Sequence, residues 1–191
     1  MASSTLQQER DTINGISLPQ LEKTTNAFKQ DPEKAKFQFR AKTTWKGGLQ
    51  NETSIQSFRG FGTDDTSRGQ PFMLQDDHPA VLLGENKAPT PIESFLHALA
   101  SCLNASFVAK ASAKGIQINS LSFDLEGDLD VRGFLGLDKS VRPGCTSIRA
   151  TCNVKADASR EQIKELCDQA QESCPVMDMI KNPVDVQVQM G

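Results

Sequence analysis

Residues 88–102 read Ala-Pro-Thr-Pro-Ile-Glu-Ser-Phe-Leu-His-Ala-Leu-Ala-Ser-Cys and contain the clearest helix start in the chain. Thr90 suits the N-cap, Pro91 suits the first helical position, and Glu93 three residues after the threonine completes a capping box. Gly115 supplies a left-handed stop, so we expect a helix that ends just before it. The helix interior is apolar nearly all round, which predicts a buried central helix.

The residues before this helix predict short strands. Apolar and polar side chains alternate over 36–45, a Lys-Gly-Gly turn follows at 46–48, and alternation resumes over 53–58. This pattern predicts a β-hairpin, because successive side chains of a strand point to opposite faces. A polar loop and a short strand near residues 72–74 should follow.

The residues after the helix predict two long strands, a second helix and a last strand. Alternation over 121–131 indicates a strand with one wet face, and 148–154 should be its partner. An apolar stripe over 160–172 predicts a helix, and Ser-Cys-Pro at 173–175 should break it. Residues 184–188 predict a closing strand. Runs of strands separated by single helices indicate an α+β fold with antiparallel sheets around the central helix.

Composition restricts the function. The chain has 191 residues, with 21 basic and 24 acidic ones and a net charge of −3, so neither nucleic acid nor an anionic membrane is an expected partner. The sequence has no run of 18 apolar residues, so we predict no membrane-spanning helix. We divide the chain into an N-terminal extension, residues 1–35, helical over 17–30, and one domain, residues 36–191.

Five cysteines in irregular spacing, with no CxxC pair, predict neither a disulfide framework nor a metal site. Reduced thiols and a cytoplasmic location follow from this. Cys152 and Cys167 lie on apolar faces and suggest core packing, whereas Cys145 reads as an exposed thiol without a role. Cys102 suits packing on a small-residue face of the helix. Cys174 suits either a chain break or the N-cap of a following helical turn, where the helix dipole would lower its pKa.

The helix and the second cysteine together resemble the OsmC-like family, which includes the osmotically inducible protein and the organic hydroperoxide resistance protein. Ala88 to Cys102 resembles the family's central helix, and Cys174-Pro175-Val176 resembles its second cysteine motif. Several further features resemble one longer branch of the family. They are Asn14-Gly-Ile, Trp45-Lys-Gly-Gly, Asp77-His-Pro, Gly127-Asp-Leu-Asp-Val-Arg-Gly and Asn182-Pro-Val.

The resemblance implies an intertwined homodimer with two sites at the subunit interface. In the peroxidase members, the counterpart of Cys102 attacks an organic hydroperoxide and becomes a sulfenic acid, and the counterpart of Cys174 condenses with it to a disulfide. A dithiol reductant, of the lipoyl type, then regenerates the thiols by exchange. This chemistry needs no cofactor and no metal.

Two positions depart from the peroxidase pattern. Those members carry an arginine directly after the Gly-Gly turn, where this chain has Leu49, and Arg40 and Arg59 are the nearby substitutes. They also carry a glutamate ten residues before the first cysteine, where this chain has Ile92. Glu93 lies on the opposite side of the helix from the cysteine, and the capping box accounts for it.

We therefore predict a hydroperoxide reductase with Cys102, Cys174, Arg40 and Glu93 as its site residues. The alternative is a non-enzymatic dimer that binds an apolar ligand in the interface cleft. A Cys/His hydrolase is disfavoured, because His97 lies about 140° around the helix from Cys102. His78 sits beside acidic residues in a loop and reads as solvated.

Overall fold

The structure is a computed structural model and describes residues 11–191. These residues form two compact units: residues 11–16 together with Phe95–Gly191, and Ser17–Ser94. The first is called the cysteine unit below and the second the strand unit. The predicted boundary between residues 35 and 36 stays a prediction.

The fold is α+β with antiparallel sheets, as predicted. The helices are α1 Leu18–Gln30, α2 Pro91–Ala113, α3 Val131–Phe134, α4 Arg160–Glu172 and α5 Pro175–Lys181, with 3-10 turns at Pro32–Ala35 and Ala80–Leu82. The strands are β1 Thr12–Ile13, β2 Ile16–Ser17, β3 Gln38–Phe39, β4 Lys42–Gly47, β5 Gln50–Ile55, β6 Phe58–Gly60, β7 Thr63–Asp65, β8 Phe72–Asp76, β9 Ile118–Asp128 and β10 Ser147–Ala156.

The central helix α2 begins and ends where its sequence predicts. Glu93 N–H donates to Thr90 Oγ1 over 3.2 Å, and Thr90 N–H donates to Glu93 Oε2 over 2.7 Å, which is the reciprocal capping box. At the other end, Gly115 has a φ of 71°, a conformation that favours glycine. Ile116 N–H donates to Ala111 O and closes the last turn.

One face of α2 forms the core of the cysteine unit. Side chains that recur every four residues fall on one stripe of α2, and this stripe packs on the antiparallel pair β9–β10 and on α4. The buried apolar residues of the stripe are Leu99, Leu103, Phe107 and Ala111. Ala98 and Ala105, on another side of the helix, remain exposed in the single chain.

The N-terminal hairpin β1–β2 is tied to the end of α2 by one side chain. Asn14 donates through Nδ2 to Ile116 O and Ser112 Oγ, and accepts the N–H of Ile118 through Oδ1. Ser112 is fully buried, so this bonding satisfies a polar group inside the core. The Asn14-Gly-Ile motif therefore has a structural role.

The strand unit contains two three-stranded sheets, ordered β3-β6-β7 and β4-β5-β8. The predicted hairpin at the Lys-Gly-Gly turn is confirmed, as is the strand near residue 72. The single strand predicted over 36–45 is wrong, because β3 and β4 pair with different partners. The polar loop after residue 58 contains a hairpin, whose turn residues Phe61 and Gly62 both have positive φ.

Two further predictions differ from the structure. The strand predicted to reach residue 131 ends at Asp128, because Asp130 accepts the N–H of Arg132 and caps the short helix α3. The strand predicted over 184–188 is absent, since no described residue pairs with it. Instead, Val184, Val186 and Val188 are exposed.

Among residues 11–191, one helix, α2, is long and apolar enough to cross a membrane by length and composition alone. The core helix of a globular protein passes the same test. Because α2 buries a stripe against β9–β10 and α4, we treat it as a core helix.

We expect Leu103→Ala to lower the free energy of unfolding by roughly 2–5 kcal/mol, because the side chain is 1% exposed and its loss leaves a cavity. Leu137→Ala is the matched control, since Leu137 is 72% exposed and should change stability by less than about 1 kcal/mol. Urea unfolding followed by circular dichroism measures both. Equal losses of unfolding free energy in the two variants would contradict the assignment of Leu103 to the core.

Candidate functional site

Two cysteine side chains meet in the core of the cysteine unit. Cys102 is half-buried on α2, and Cys174 is fully buried just before α5. Both belong to the cluster built on Leu99 and Leu103, and Cys102 is close enough to raise the pKa of Cys174. All five cysteines are free thiols, so the pair is present in its reduced form.

Cys174 is placed by the break between α4 and α5. Pro175 occupies the first position of α5, and the N–H of Met177 donates to Cys174 Sγ over 3.4 Å. Cys174 is therefore the N-cap of α5, as one of the two sequence interpretations predicted. The break also lets the chain turn, so that the cysteine points into the core rather than into water.

The expectation that the helix dipole lowers the pKa of Cys174 is wrong. Burial raises the pKa of this thiol above its ordinary value, and the hydrogen bond and charge of Cys102 raise it further. The N–H groups of Met177 and Val176 act in the opposite direction but do not prevail. Removal of the sulfur from water therefore raises the pKa of Cys174 by more than the dipole of a helix of only seven residues lowers it.

An open cavity of about 300 Å³ lies on the cysteine unit, lined by Ala100, Ser101, Asn104 and Phe123. Phe123 also packs against the cluster that contains both thiols. The floor of the cavity therefore joins the hydrophobic surroundings of the thiol pair. A small molecule with an apolar end and a polar end suits such a lining.

A family model described as OsmC-like protein matches residues 84–189, which is more than half of the chain and includes both thiols. This chain belongs to the OsmC-like family. No curated protein matches it at a significant level.

Solved structures of OsmC-like proteins have the same fold. One is the OsmC-like protein of Mycoplasma pneumoniae, with 18% identity and a TM-score of 0.57 over 76% of this chain and 89% of that one. Another is the organic hydroperoxide resistance protein OsmC of Legionella pneumophila, with 20% identity and a TM-score of 0.55 over 78% of this chain and 93% of that one. At such identities the likeness establishes the fold.

The other predicted site residues of this OsmC-like protein lie in the strand unit. Arg40 forms an ion pair with Asp64, with Nη2 to Oδ1 at 2.9 Å, and donates to Gln38. The Thr90 backbone N–H and then its hydroxyl hold the pKa of Glu93 below its ordinary value. The carboxylate of Glu93 is thus engaged in the capping box.

Leu49 lies in the turn between β4 and β5, where the family's peroxidases carry arginine, and its side chain is 37% exposed. Arg59 donates to the carbonyl of Gly62 within the β6–β7 hairpin. Neither arginine of this region is buried, so each keeps a hydrated guanidinium.

The two histidines lie in different parts of the described chain. His97 lies within hydrogen-bond distance of Ser101, one turn along α2. His78 is half-buried in the loop after β8 rather than solvated. No group of three or more His, Cys, Asp or Glu side chains in residues 11–191 is arranged to hold a metal ion.

The sequence did not single out the buried carboxylate of Asp77. It accepts backbone N–H groups from His78, Glu85 and Lys87, and these bonds, that of Lys87 first, lower its pKa. Asp77 thereby folds the loop that leads to α2 around itself. The Asp-His-Pro motif was the only sequence signal for a role of Asp77. A charged residue in a loop is otherwise expected at the surface, so its burial could not be predicted from the sequence.

The interaction between the two thiols predicts a coupled titration. In a chain with Cys145, Cys152 and Cys167 replaced by alanine, the pair should ionise in two steps, the second well above the ordinary cysteine value. Adding Cys102→Ala should move the midpoint of Cys174 downward, because the neighbouring thiolate is gone, although burial still keeps it raised.

Ultraviolet absorbance of the thiolate against pH measures these midpoints. If the Cys174 midpoint were the same with and without Cys102, the two thiols would not interact.

Proposed function

We propose that this OsmC-like protein reduces organic hydroperoxides with the thiol pair Cys102/Cys174. The observation that carries the proposal is that the two thiols lie side by side in one apolar cluster of the core. A cysteine peroxidase needs a second thiol within reach of the first, because the sulfenic acid must be captured before it is oxidised further.

Cys102 is the attacking thiol in this proposal, since it is half-buried and Cys174 is fully buried. The Cys102 thiolate attacks the outer peroxide oxygen, the O–O bond breaks, and the alcohol leaves with a proton. Cys174 then attacks the Cys102 sulfenic acid, and a disulfide forms as water leaves. The raised pKa of Cys174 suits this order, because Cys174 keeps its proton while its neighbour reacts.

The substrate and the reductant follow from the surroundings of the pair. The apolar side chains around both sulfurs favour an alkyl or fatty hydroperoxide over hydrogen peroxide. A dithiol of the lipoyl type would reopen the disulfide by exchange. The name of the Legionella pneumophila relative, an organic hydroperoxide resistance protein, agrees with this substrate class. Five free thiols suit the reducing cytoplasm.

Arg40 and Glu93 enter the proposal in different ways. Arg40 is the candidate that would favour the Cys102 thiolate electrostatically, because its guanidinium is exposed and its ion pair with Asp64 is weak in water. Glu93 supports the site by fixing the start of α2. Its capping bonds leave one carboxylate oxygen available for a further partner.

The second candidate function is a binding protein without peroxidase activity. It is favoured by Leu49 at the place of the arginine. In that case the cavity beside Phe123 would hold an apolar ligand, and the thiols would pack without reacting.

We expect one equivalent of tert-butyl hydroperoxide to link Cys102 and Cys174 in a disulfide. Cys174→Ser should still consume one equivalent but stop at the sulfenic acid, whereas Cys102→Ser should consume none at this site. Peptide mapping by mass spectrometry identifies the linked residues. If both thiols remain free while the peroxide persists, the binding-protein alternative holds.

The same reaction tests the arginine. Arg40→Gln should slow oxidation of Cys102 while the stoichiometry stays at one peroxide per pair, and Arg59→Gln is its matched control. Equal rates for both variants would remove Arg40 from the site.

We further propose that the protein is a homodimer in which a second copy covers the exposed side of α2 and pairs with residues 184–188. Ala98 and Ala105 are small and exposed, and the valines at 184, 186 and 188 alternate as in a strand, without a partner among the described residues 11–191. Sedimentation at micromolar concentration should give twice the chain mass of 20.9 kDa. A monomer at that concentration would contradict this proposal.

A further inference from the structure

A second thiol pair lies in the same unit, at the contact between β10 and α4. Cys152 points inward from β10, opposite Phe123 of β9, and Cys167 follows the fully buried Leu166 on α4. Both side chains pack against the same hydrophobic cluster, and Cys167 is close enough to raise the pKa of Cys152. Core packing, which their sequence patterns predict, describes where they lie but not what two neighbouring thiols can do.

This pair is separate from the Cys102/Cys174 pair. Cys152 and Cys167 pack against the cluster built on Phe107 and Leu166, whereas Cys102 and Cys174 belong to the cluster built on Leu99 and Leu103. We therefore treat the second pair as a separate site whose oxidant comes from solution.

The second pair is partly open to solution, because both of its cysteines are only half-buried. Cys152 lines an open cavity of about 480 Å³ on β9 and β10. The other lining residues are Ser120, Leu121, Ser122, Asn153, Val154 and Lys155.

We propose that Cys152 and Cys167 are a second oxidisable site, which closes under hydroperoxide to a disulfide that ties α4 to β10. The Cys167 thiolate attacks the hydroperoxide, the O–O bond breaks, and the alcohol leaves with a proton. Cys152 then displaces water from the Cys167 sulfenic acid. Two electrons pass from the two sulfurs to the peroxide, so the reaction is balanced without a cofactor.

The order of the two steps follows from the electrostatics of the pair. Burial and then the neighbouring Cys167 raise the pKa of Cys152 to about 12, so Cys152 stays protonated at neutral pH. Once Cys167 has become a neutral sulfenic acid, the part of the shift that Cys167 causes disappears. Cys152 can then ionise more easily and resolve the sulfenic acid.

The disulfide should act on α4, whose end leads directly to Cys174. It would close a loop of about 15 residues and restrict the unfolded chain. We expect the thermal midpoint of the oxidised form to rise by roughly 5–10 °C over that of the reduced form. The site thereby couples oxidation to the stability of the element that positions the other pair.

The test uses the full chain with Cys102, Cys145 and Cys174 replaced by alanine, so that only the second pair can react. With tert-butyl hydroperoxide we expect an intrachain Cys152–Cys167 disulfide in the peptide map, loss of two hydrogens in mass, and full reversal by dithiothreitol. Adding Cys152→Ala should leave a Cys167 sulfenic acid that dimedone traps. With Cys167→Ala added instead, dimedone should trap no sulfenic acid and no disulfide should form.

Two free thiols after exposure to an excess of hydroperoxide, or a link between chains only, would overturn the proposal. The same peptide map on the wild-type chain gives the answer if the alanine variant does not fold, because each linked pair yields its own peptide. A Cys102–Cys174 link without a Cys152–Cys167 link would overturn this site alone and leave the proposed function standing.

Discussion

The contact between one stripe of α2 and the β9–β10 ladder is the interaction on which the rest of the cysteine unit depends. Leu99 and Leu103 pack beside the first thiol pair, and Phe107 and Ala111 pack on α4. Burial of these side chains offsets the entropy of fixing the helix, which would be marginal alone. The same stripe therefore fixes the helix, the ladder and the distance between Cys102 and the start of α5.

The environment that brings the two thiols together also controls their reactivity. Apolar packing holds Cys174 next to Cys102, but it raises the pKa of Cys174 and keeps that thiol protonated. A resolving thiol tolerates this, whereas an attacking thiol needs a thiolate. In the proposed mechanism, the division of roles between the half-buried Cys102 and the fully buried Cys174 thus follows from burial.

Local chemistry allowed the helices to be predicted from the sequence. The capping box at Thr90, the glycine stop at 115 and the stripe of α4 depend on neighbouring residues only, and these elements are confirmed within a residue. Elements that depend on distant partners were not predictable in this way. The break between β3 and β4 reflects two different partner strands, and residues 184–188 have no partner strand among residues 11–191. Which cysteines lie next to each other could likewise not be predicted from the residues alone, because it depends on how the helices pack on the sheet.

The central claim is that the buried pair Cys102/Cys174 turns over an organic hydroperoxide. Steady-state consumption of tert-butyl hydroperoxide with dihydrolipoamide as the electron donor tests it most directly, with the Cys152→Ala/Cys167→Ala chain as the enzyme so that the second pair does not contribute. The account predicts sustained turnover that is lost in Cys102→Ser. Consumption no faster than that of dihydrolipoamide alone, in a folded chain, would contradict it.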